Sequence, residues 1–495
     1  MKLLYIFYDI EIETMLLRNT ESLCPVCLRR TPARITGEND NNVYMEKTCP
    51  IHGYFKTIVW KGIKSWIRWD KLNDWEPEHF EGKESVTEVS RGCPFDCGLC
   101  PQHLRKACIV VMEITNRCNL NCPVCFASAN DRHVYDDYID TIENMFKTVL
   151  RYESEITVPT VQISGGEPTI RDDLPEIVTL GKELGIEHIM IDTNGVRIAD
   201  DKEYLCHLKE SGVDAIYLQF DGVTDDVYLK LRGINLMDLK VEAIKNCAEM
   251  GIGVVLVPTV VRDVNLHQMG DIIRFAKRWI PTVRGVHFQP ISYFGRYPHQ
   301  PKNHRRVTTP DVLNAIERQT CGEIRADNFV PVRLGMGCES HCSFTNISIL
   351  TEGNKLLPLT NFPSEKRMRE IKDYRDEHSG PKHAREIIKE YWKSIDEPSS
   401  EICTCKFYTG NFDELVECLQ RCYLSISGMP FQDVWNIDTR RLKKCCVHVI
   451  TPDNRLIPFC AFNVTSVHGE TLYRKQVSKR YNKRVESSGR KVHKF

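Results

Sequence analysis

Between Ile109 and Pro290 short apolar runs alternate with longer amphipathic stretches. The runs are IVVMEIT (109–115), TVQIS (160–164), HIMIDT (188–193), AIYLQF (215–220), GVVLVPTVV (253–261) and GVHFQP (285–290). They are nearly continuous in apolar residues, the pattern of parallel strands buried on both faces. Between them, stretches such as DDYIDTIENMFKTVLRYE (136–153) and DIIRFAKRWI (271–280) repeat apolar residues at helical spacing. Six such βα units predict an α/β fold: a parallel sheet rolled into a partial (β/α)6 barrel, with chemistry at the carboxyl ends of its strands.

The flanks lack this rhythm. Five segments are expected: a cysteine-rich N-terminal metal-binding domain over 1–85, a cluster-binding segment over 86–108, the barrel over 109–330, a C-terminal cluster domain over 331–473, and a basic tail over 474–495. The tail, RKQVSKRYNKRVESSGRKVHKF, reads either as a solvated end or as a contact for an anionic surface.

Composition narrows the function classes. Hydrophobic residues at 42% and charged residues at 27% are those of a soluble globular chain. A net charge of −1 argues against a nucleic-acid partner. No apolar run approaches the roughly 20 residues that span a bilayer. The opening MKLLYIFYDIEIE soon turns acidic and lacks a small-residue cleavage site, so a cytoplasmic location is expected. The 22 cysteines are the anomaly, many of them in C-x2-C or C-x3-C pairs. A chain of 495 residues needs no disulfide scaffold, so the clustered spacing reads as metal ligation.

Two C-x3-C-x2-C triplets stand close together: Cys93, Cys97 and Cys100, then Cys118, Cys122 and Cys125. Three thiolates hold three irons of a four-iron cluster and leave the fourth iron open for the amino and carboxylate groups of S-adenosylmethionine. Electron transfer to the sulfonium then yields a 5′-deoxyadenosyl radical. The second triplet meets this demand, because it follows directly on the first barrel strand. The next strand ends in Ser164-Gly165-Gly166-Glu167-Pro168, whose glycines let the backbone come close to a ligand. The pairing of triplet and GGEP resembles the radical S-adenosylmethionine (radical SAM) superfamily. By that resemblance Gly165, Gly166, Glu167, Asn194, Gln219 and Thr259 are candidate cofactor contacts. Arg232, in KLRG, reads either as a partner for the cofactor's carboxylate or as an exposed helix-end arginine. The first triplet has a further cysteine nearby, Cys108, and four thiolates would saturate a cluster. Cys93, Cys97, Cys100 and Cys108 therefore read as an auxiliary cluster.

Cys24 and Cys27, followed by Cys49 and His52, form two knuckles able to hold one tetrahedral ion, zinc or iron. A second auxiliary cluster is expected on Cys338, Cys342, Cys460 and either Cys445 or Cys446. The rival set is Cys403, Cys405, Cys418 and Cys422. Cys206, Cys247 and Cys321 read as small buried hydrophobes.

The order CPVC, CPIHG, SRGCPFDCGLCPQH, EITNRCNLNCPVCFA, SGGEPT, DTNG, QFDG, GCESHC and TPDNRLIPFC resembles the tetraether lipid synthase family. That resemblance spans about Cys24 to Asn463. It implies one catalytic and two auxiliary four-iron clusters, a mononuclear iron, and Cys445 as the ligand of the adjacent pair. It implies coupling of the terminal methyl carbons of two phytanyl chains of archaeal ether phospholipids, with a reductant such as ferredoxin. The enzyme would then work at the cytoplasmic face of a membrane. Cys446 and the Cys403 group depart from the family's pattern. The alternatives are a radical methyltransferase acting on a pterin precursor of methanopterin, and a peptide-modifying radical enzyme. A pterin pocket predicts convergent polar side chains, whereas a lipid tunnel predicts long apolar walls.

Overall fold

The N-terminal strands β1 (Met15–Leu23), β2 (Arg30–Gly37), β3 (Asn42–Cys49) and β4 (Gly53–Lys61) form an antiparallel ribbon in chain order, followed by helix α1 (Ile63–Asp70). The computed structural model describes residues 14–72, 87–98, 100–105, 107–130, 136–151, 160–331, 339–351, 353–361 and 422–476. Cys338, Cys403, Cys405 and Cys418, and the tail beyond residue 476, lie outside them.

The barrel strands are β5 (Ile109–Glu113), β6 (Thr160–Ser164), β7 (Ile189–Thr193), β8 (Ala215–Gln219), β9 (Gly253–Val257), the two-residue β10 (Thr259–Val260) and β11 (Val283–Pro290). Five of them pair in parallel in the order β5-β6-β7-β8-β9, β11 follows, and β10 pairs with the end of β11. The connections carry helices α2 (Ile139–Arg151), α3 (Leu174–Glu183), α4 (Val196–Asp200), α5 (Lys202–Glu210), α6 (Asp225–Arg232), α7 (Met237–Glu249) and α8 (Met269–Arg278). The expected α/β partial barrel is the observed fold.

Burial along the strands alternates more sharply than the sequence pattern suggests. Ile191, Ile216, Leu218, Val254, Leu256 and Phe288 are fully buried. Their neighbours Asp192, Tyr217, Gln219, Val257, His287 and Gln289 are partly accessible and line a central cavity. The period of two is present, but the inner positions mix polar and apolar residues.

After the barrel come α9 (Thr309–Gln319), started by a Thr308–Asp311 capping box, and the strands β12 (Phe344–Leu350), β13 (Leu356–Pro358), β14 (Tyr423–Gly428), β15 (Val447–Ile450) and β16 (Leu456–Pro458). Helices α10 (Thr439–Lys443) and α11 (Phe459–Asn463) flank the last two strands. This segment extends the barrel at both edges: β14 pairs in parallel with β11, and β15 in parallel with β5. The ribbon docks on the same segment. Arg18 Nη2 and Thr20 Oγ1 each donate to Asp438 at 2.6 Å, and the buried Lys47 ammonium donates to Ser22 Oγ and the Val434 carbonyl. No helix among the described residues is long and apolar enough to cross a membrane.

Candidate active site and metal centres

The loop after β5 is held from several sides. Asn130, in the left-handed region at φ +66°, accepts from the Cys118 N–H and donates to the carbonyls of Cys118 and Leu120. Cys125 and Arg296 exchange two backbone hydrogen bonds of 2.9 Å, and Arg296 Nε donates to the Cys122 carbonyl. Arg117 grips Asp136 through Nε and Nη2. Cys118, Cys122 and Cys125 all line the cavity. Burial, reinforced by the negative charge of Glu167 and then of Cys122 and Cys125, pushes the Cys118 thiol up to about 12. A bound metal removes that penalty, so this three-thiol donor set fits an iron–sulfur cluster.

The glycines of GGEP line the cavity and also make a close contact within the protein. Gly166 N–H donates to the Thr115 carbonyl and Glu167 N–H to the Arg117 carbonyl. A Cβ on Gly165 would stand 2.2 Å from the Thr115 oxygen, and one on Gly166 2.1 Å from the Arg117 oxygen. The close approach is therefore between strand end and cysteine loop. Gly166→Ala is expected to displace the loop and cut iron content per chain by at least the catalytic cluster's share, checked by iron assay after anaerobic reconstitution. Retention of full iron content would show that the loop tolerates the shift.

The fully buried Glu167 carboxylate is also committed to protein. It accepts from Thr169 N, Thr169 Oγ1, Thr193 Oγ1 and Asn194 N at 2.6–3.1 Å. Burial still holds its pKa above the usual range. Glu167 thus fixes the backbone of the β7 end. Asn194 in turn donates through Nδ2 to Asn119 in the cysteine loop at 2.7 Å.

A second network lies under the strand ends. Arg232 donates through Nε and Nη2 to the two oxygens of the fully buried Asp221, through Nη2 also to Thr259 Oγ1, and through Nη1 to the Val124 carbonyl. Gln219 Nε2 donates to Asp221 as well. Lys240 is fully buried and donates to the Asn194 carbonyl and to Gln219 Oε1. Burial brings its pKa down to about 7. Lys240 was not among the candidates read from sequence. The signal was its place on α7 in one apolar stripe with Ala243, Ile244 and Cys247, all buried.

The cavity, about 260 Å³, is bounded by the cysteine loop, the strand ends and an aromatic wall. Phe459 of that wall packs against Phe126, Phe294 and Phe431 at ring-centroid distances of 4.4–6.4 Å. Its polar residues include Gln162, Asp192, Tyr217, His287 and Gln289.

Among the predicted metal sites, Cys24, Cys27, Cys49 and His52 come together with all four ligand atoms within 4.8 Å of one another. His52 Nδ1 lies 3.5 Å from both Cys24 Sγ and Cys49 Sγ. Burial favours the Cys49 thiol, but the N–H groups of Ile51 and His52 outweigh it and bring the pKa down to about 6. This donor set fits one tetrahedral ion. Cys93, Cys97 and Cys100 are buried around a small void that His103 and Lys443 also line. Cys108 is not among the residues lining that void; its N–H donates to the Cys446 carbonyl. In the C-terminal segment, the Cys342 thiol accepts from Arg441 Nε and Nη2 at 3.3 Å and feels the charge of Cys460. Cys445 Sγ donates to the Val447 carbonyl. Of the isolated cysteines only Cys247 is buried; Cys206 is partly accessible, and Cys321 is exposed in a left-handed turn, contrary to expectation.

A family model described as the radical SAM superfamily matches residues 112–276, and one described as the HMPTM N-terminal zinc ribbon domain matches residues 16–61. The 7,8-dihydro-6-hydroxymethylpterin dimethyltransferase of Methanocaldococcus jannaschii is 36% identical over 97% of this chain and 98% of its own length. The chain belongs to that dimethyltransferase's family, within the radical SAM superfamily. Other relatives match only part of the chain. The Fe-coproporphyrin III synthase of Methanosarcina barkeri is 35% identical over 33% of this chain and 42% of its own. A GTP 3',8-cyclase of Clostridium perfringens is 23% identical over 42% and 61%.

Membership of this radical SAM family implies S-adenosylmethionine and a four-iron cluster as cofactors. It also corrects the tetraether lipid synthase reading. A relative that aligns end to end with this chain is named for a pterin, so the ether phospholipid substrate, the coupling of phytanyl chains and the membrane contact fall away. The physical reason is that the motifs behind that resemblance are metal-ligand knuckles and strand-end turns. Such motifs report cluster number and barrel geometry, which enzymes with different substrates share.

Proposed function

We propose that this chain is a radical SAM methyltransferase whose substrate is a 7,8-dihydropterin bearing a 6-hydroxymethyl group. One observation carries the reading: end-to-end similarity to the dimethyltransferase, ribbon included. The cavity supports it, because its lining combines polar side chains with phenylalanines suited to a flat heterocycle. When bound, the cluster and S-adenosylmethionine supply a 5′-deoxyadenosyl radical. Cys118, Cys122 and Cys125 would hold that cluster. Arg232, Arg296 and Asn130 keep the loop in place, and the phenylalanines exclude water.

Two auxiliary clusters belong to the same proposal, one on Cys93, Cys97, Cys100 and Cys108, and one on Cys338, Cys342, Cys445 and Cys460. So does one zinc on Cys24, Cys27, Cys49 and His52. Metal analysis should find about one zinc per chain, and Cys49→Ala should lose it and lower the melting temperature. Full zinc content in that variant would count against the site.

The functional test is anaerobic incubation with 6-hydroxymethyl-7,8-dihydropterin, S-adenosylmethionine and a reductant, with mass analysis of the pterin. Addition of one or two methyl groups is expected. An unaltered pterin alongside rapid cofactor cleavage would refute the assignment.

A further inference from the structure

Among the cavity's polar groups Asp192, at the carboxyl end of β7, takes no part in holding the cysteine loop. It is the register partner of Tyr217 on β8, and both face the cavity. Ser164 provides its carboxyl with one hydrogen bond, and Oδ1 is buried without a partner among the described residues. A buried carboxylate oxygen without a donor is unfavourable and calls for one.

Among the described residues no side chain or backbone N–H donates to that oxygen. Asp192 feels the charge of Glu167 at the β6 end and acts on Tyr217 of β8, while Cys118 of the loop and His287 of β11 line the same cavity. His287 is held neutral, its pKa brought down by burial to about 4, and its Nδ1 shares a hydrogen bond with Ser427. The nearby cations are committed elsewhere, Lys240 to Asn194 and Gln219, and Arg232 to Asp221.

We infer that Asp192 reads the paired N–H donors on the aminopyrimidinone edge of a pterin-class ring, an inference that rests on the proposed function and gives it a specificity residue. The ring N–H and exocyclic amino group of such an edge lie in one plane and point the same way, as the donors of a guanidinium do. A carboxylate accepts from both at once. The terminal torsion of an aspartate is broad and roughly two-fold, so Oδ1 turns toward the cavity with little strain.

The pH dependence has a definite sign. Burial, with the Glu167 charge adding to it, pushes the Asp192 carboxyl up to about 7. The accepting carboxylate prevails above that pH and is lost as pH falls through it, so pterin affinity should weaken on acidification.

The test is anaerobic equilibrium binding of 6-hydroxymethyl-7,8-dihydropterin and of its 2-deamino analogue to the iron-loaded chain with S-adenosylmethionine. The native chain should prefer the amino compound by about 100-fold, as charge-assisted pairs and buried polar sites do. The preference should shrink below pH 7. In Asp192→Asn it should fall to about 5-fold or less, with iron content and melting temperature as folding controls. If that variant fails to fold, the native chain's preference and its pH profile decide alone. Equal binding of both compounds by a native chain that still methylates the pterin would overturn the role of Asp192 and leave the function standing. Absence of both binding and methylation would remove the function and this inference together.

Discussion

Asp221→Asn is expected to destabilise the folded chain by about 3–5 kcal/mol, because it strands the Arg232 guanidinium in the interior. Asp221 is fully buried, and its two oxygens accept from Arg232 Nε and Nη2, from the Thr259 N–H and from Gln219. The amide keeps one acceptor and turns a donor toward the guanidinium. Arg232 also reaches the Val124 carbonyl and the Cys122 thiol, so the loss should spread to the catalytic loop as poorer cluster loading. Denaturant unfolding measures the first effect and iron content the second. Replacing both partners, Asp221→Asn with Arg232→Met, should recover part of the stability, since the stranded charge is gone. A loss below about 1 kcal/mol in the single variant would mean that water or another group satisfies Arg232.

Cys118→Ala should abolish 5′-deoxyadenosine formation, whereas Cys93→Ala should retain it at reduced product yield. The distinction rests on position. Cys118 faces the cavity with Cys122 and Cys125 at a strand end that Gly165 and Gly166 grip. Cys93, Cys97 and Cys100 line a separate small void against Leu442 and Lys443. Cofactor cleavage under reducing conditions, followed by chromatography, separates the two. If Cys118→Ala still cleaves the cofactor and Cys93→Ala does not, the two triplets have been assigned in reverse.

Element boundaries were largely readable, because a parallel strand buried on its outer face must be apolar there: β6 falls on 160–164 as expected, and β7 and β8 differ from expectation by one residue at one end. The site was less readable. Asp192, Tyr217 and His287 occupy inner positions within runs that look uniformly apolar, so the period of two was hidden. Glycine motifs signalled close approach but not to what; the partner is the backbone of Thr115 and Arg117. Lys240 reads as an interruption of an apolar stripe, and its role emerges only once Asn194 and Gln219 are beside it. The edge strands β14 and β15 were not anticipated, since parallel pairing of segments hundreds of residues apart leaves no local trace. Substrate class was misread because the cysteine knuckles that dominated the resemblance bind metals and not substrate.

The most direct measurement is substrate-dependent cofactor cleavage. The iron-loaded chain is given S-adenosylmethionine and reductant, and 5′-deoxyadenosine is quantified with 6-hydroxymethyl-7,8-dihydropterin, with archaeal diether phospholipid, and with neither. Cleavage should rise only with the pterin and in step with methylated pterin. Stimulation by the lipid, with cross-linked chains as product and the pterin inert, would contradict the account.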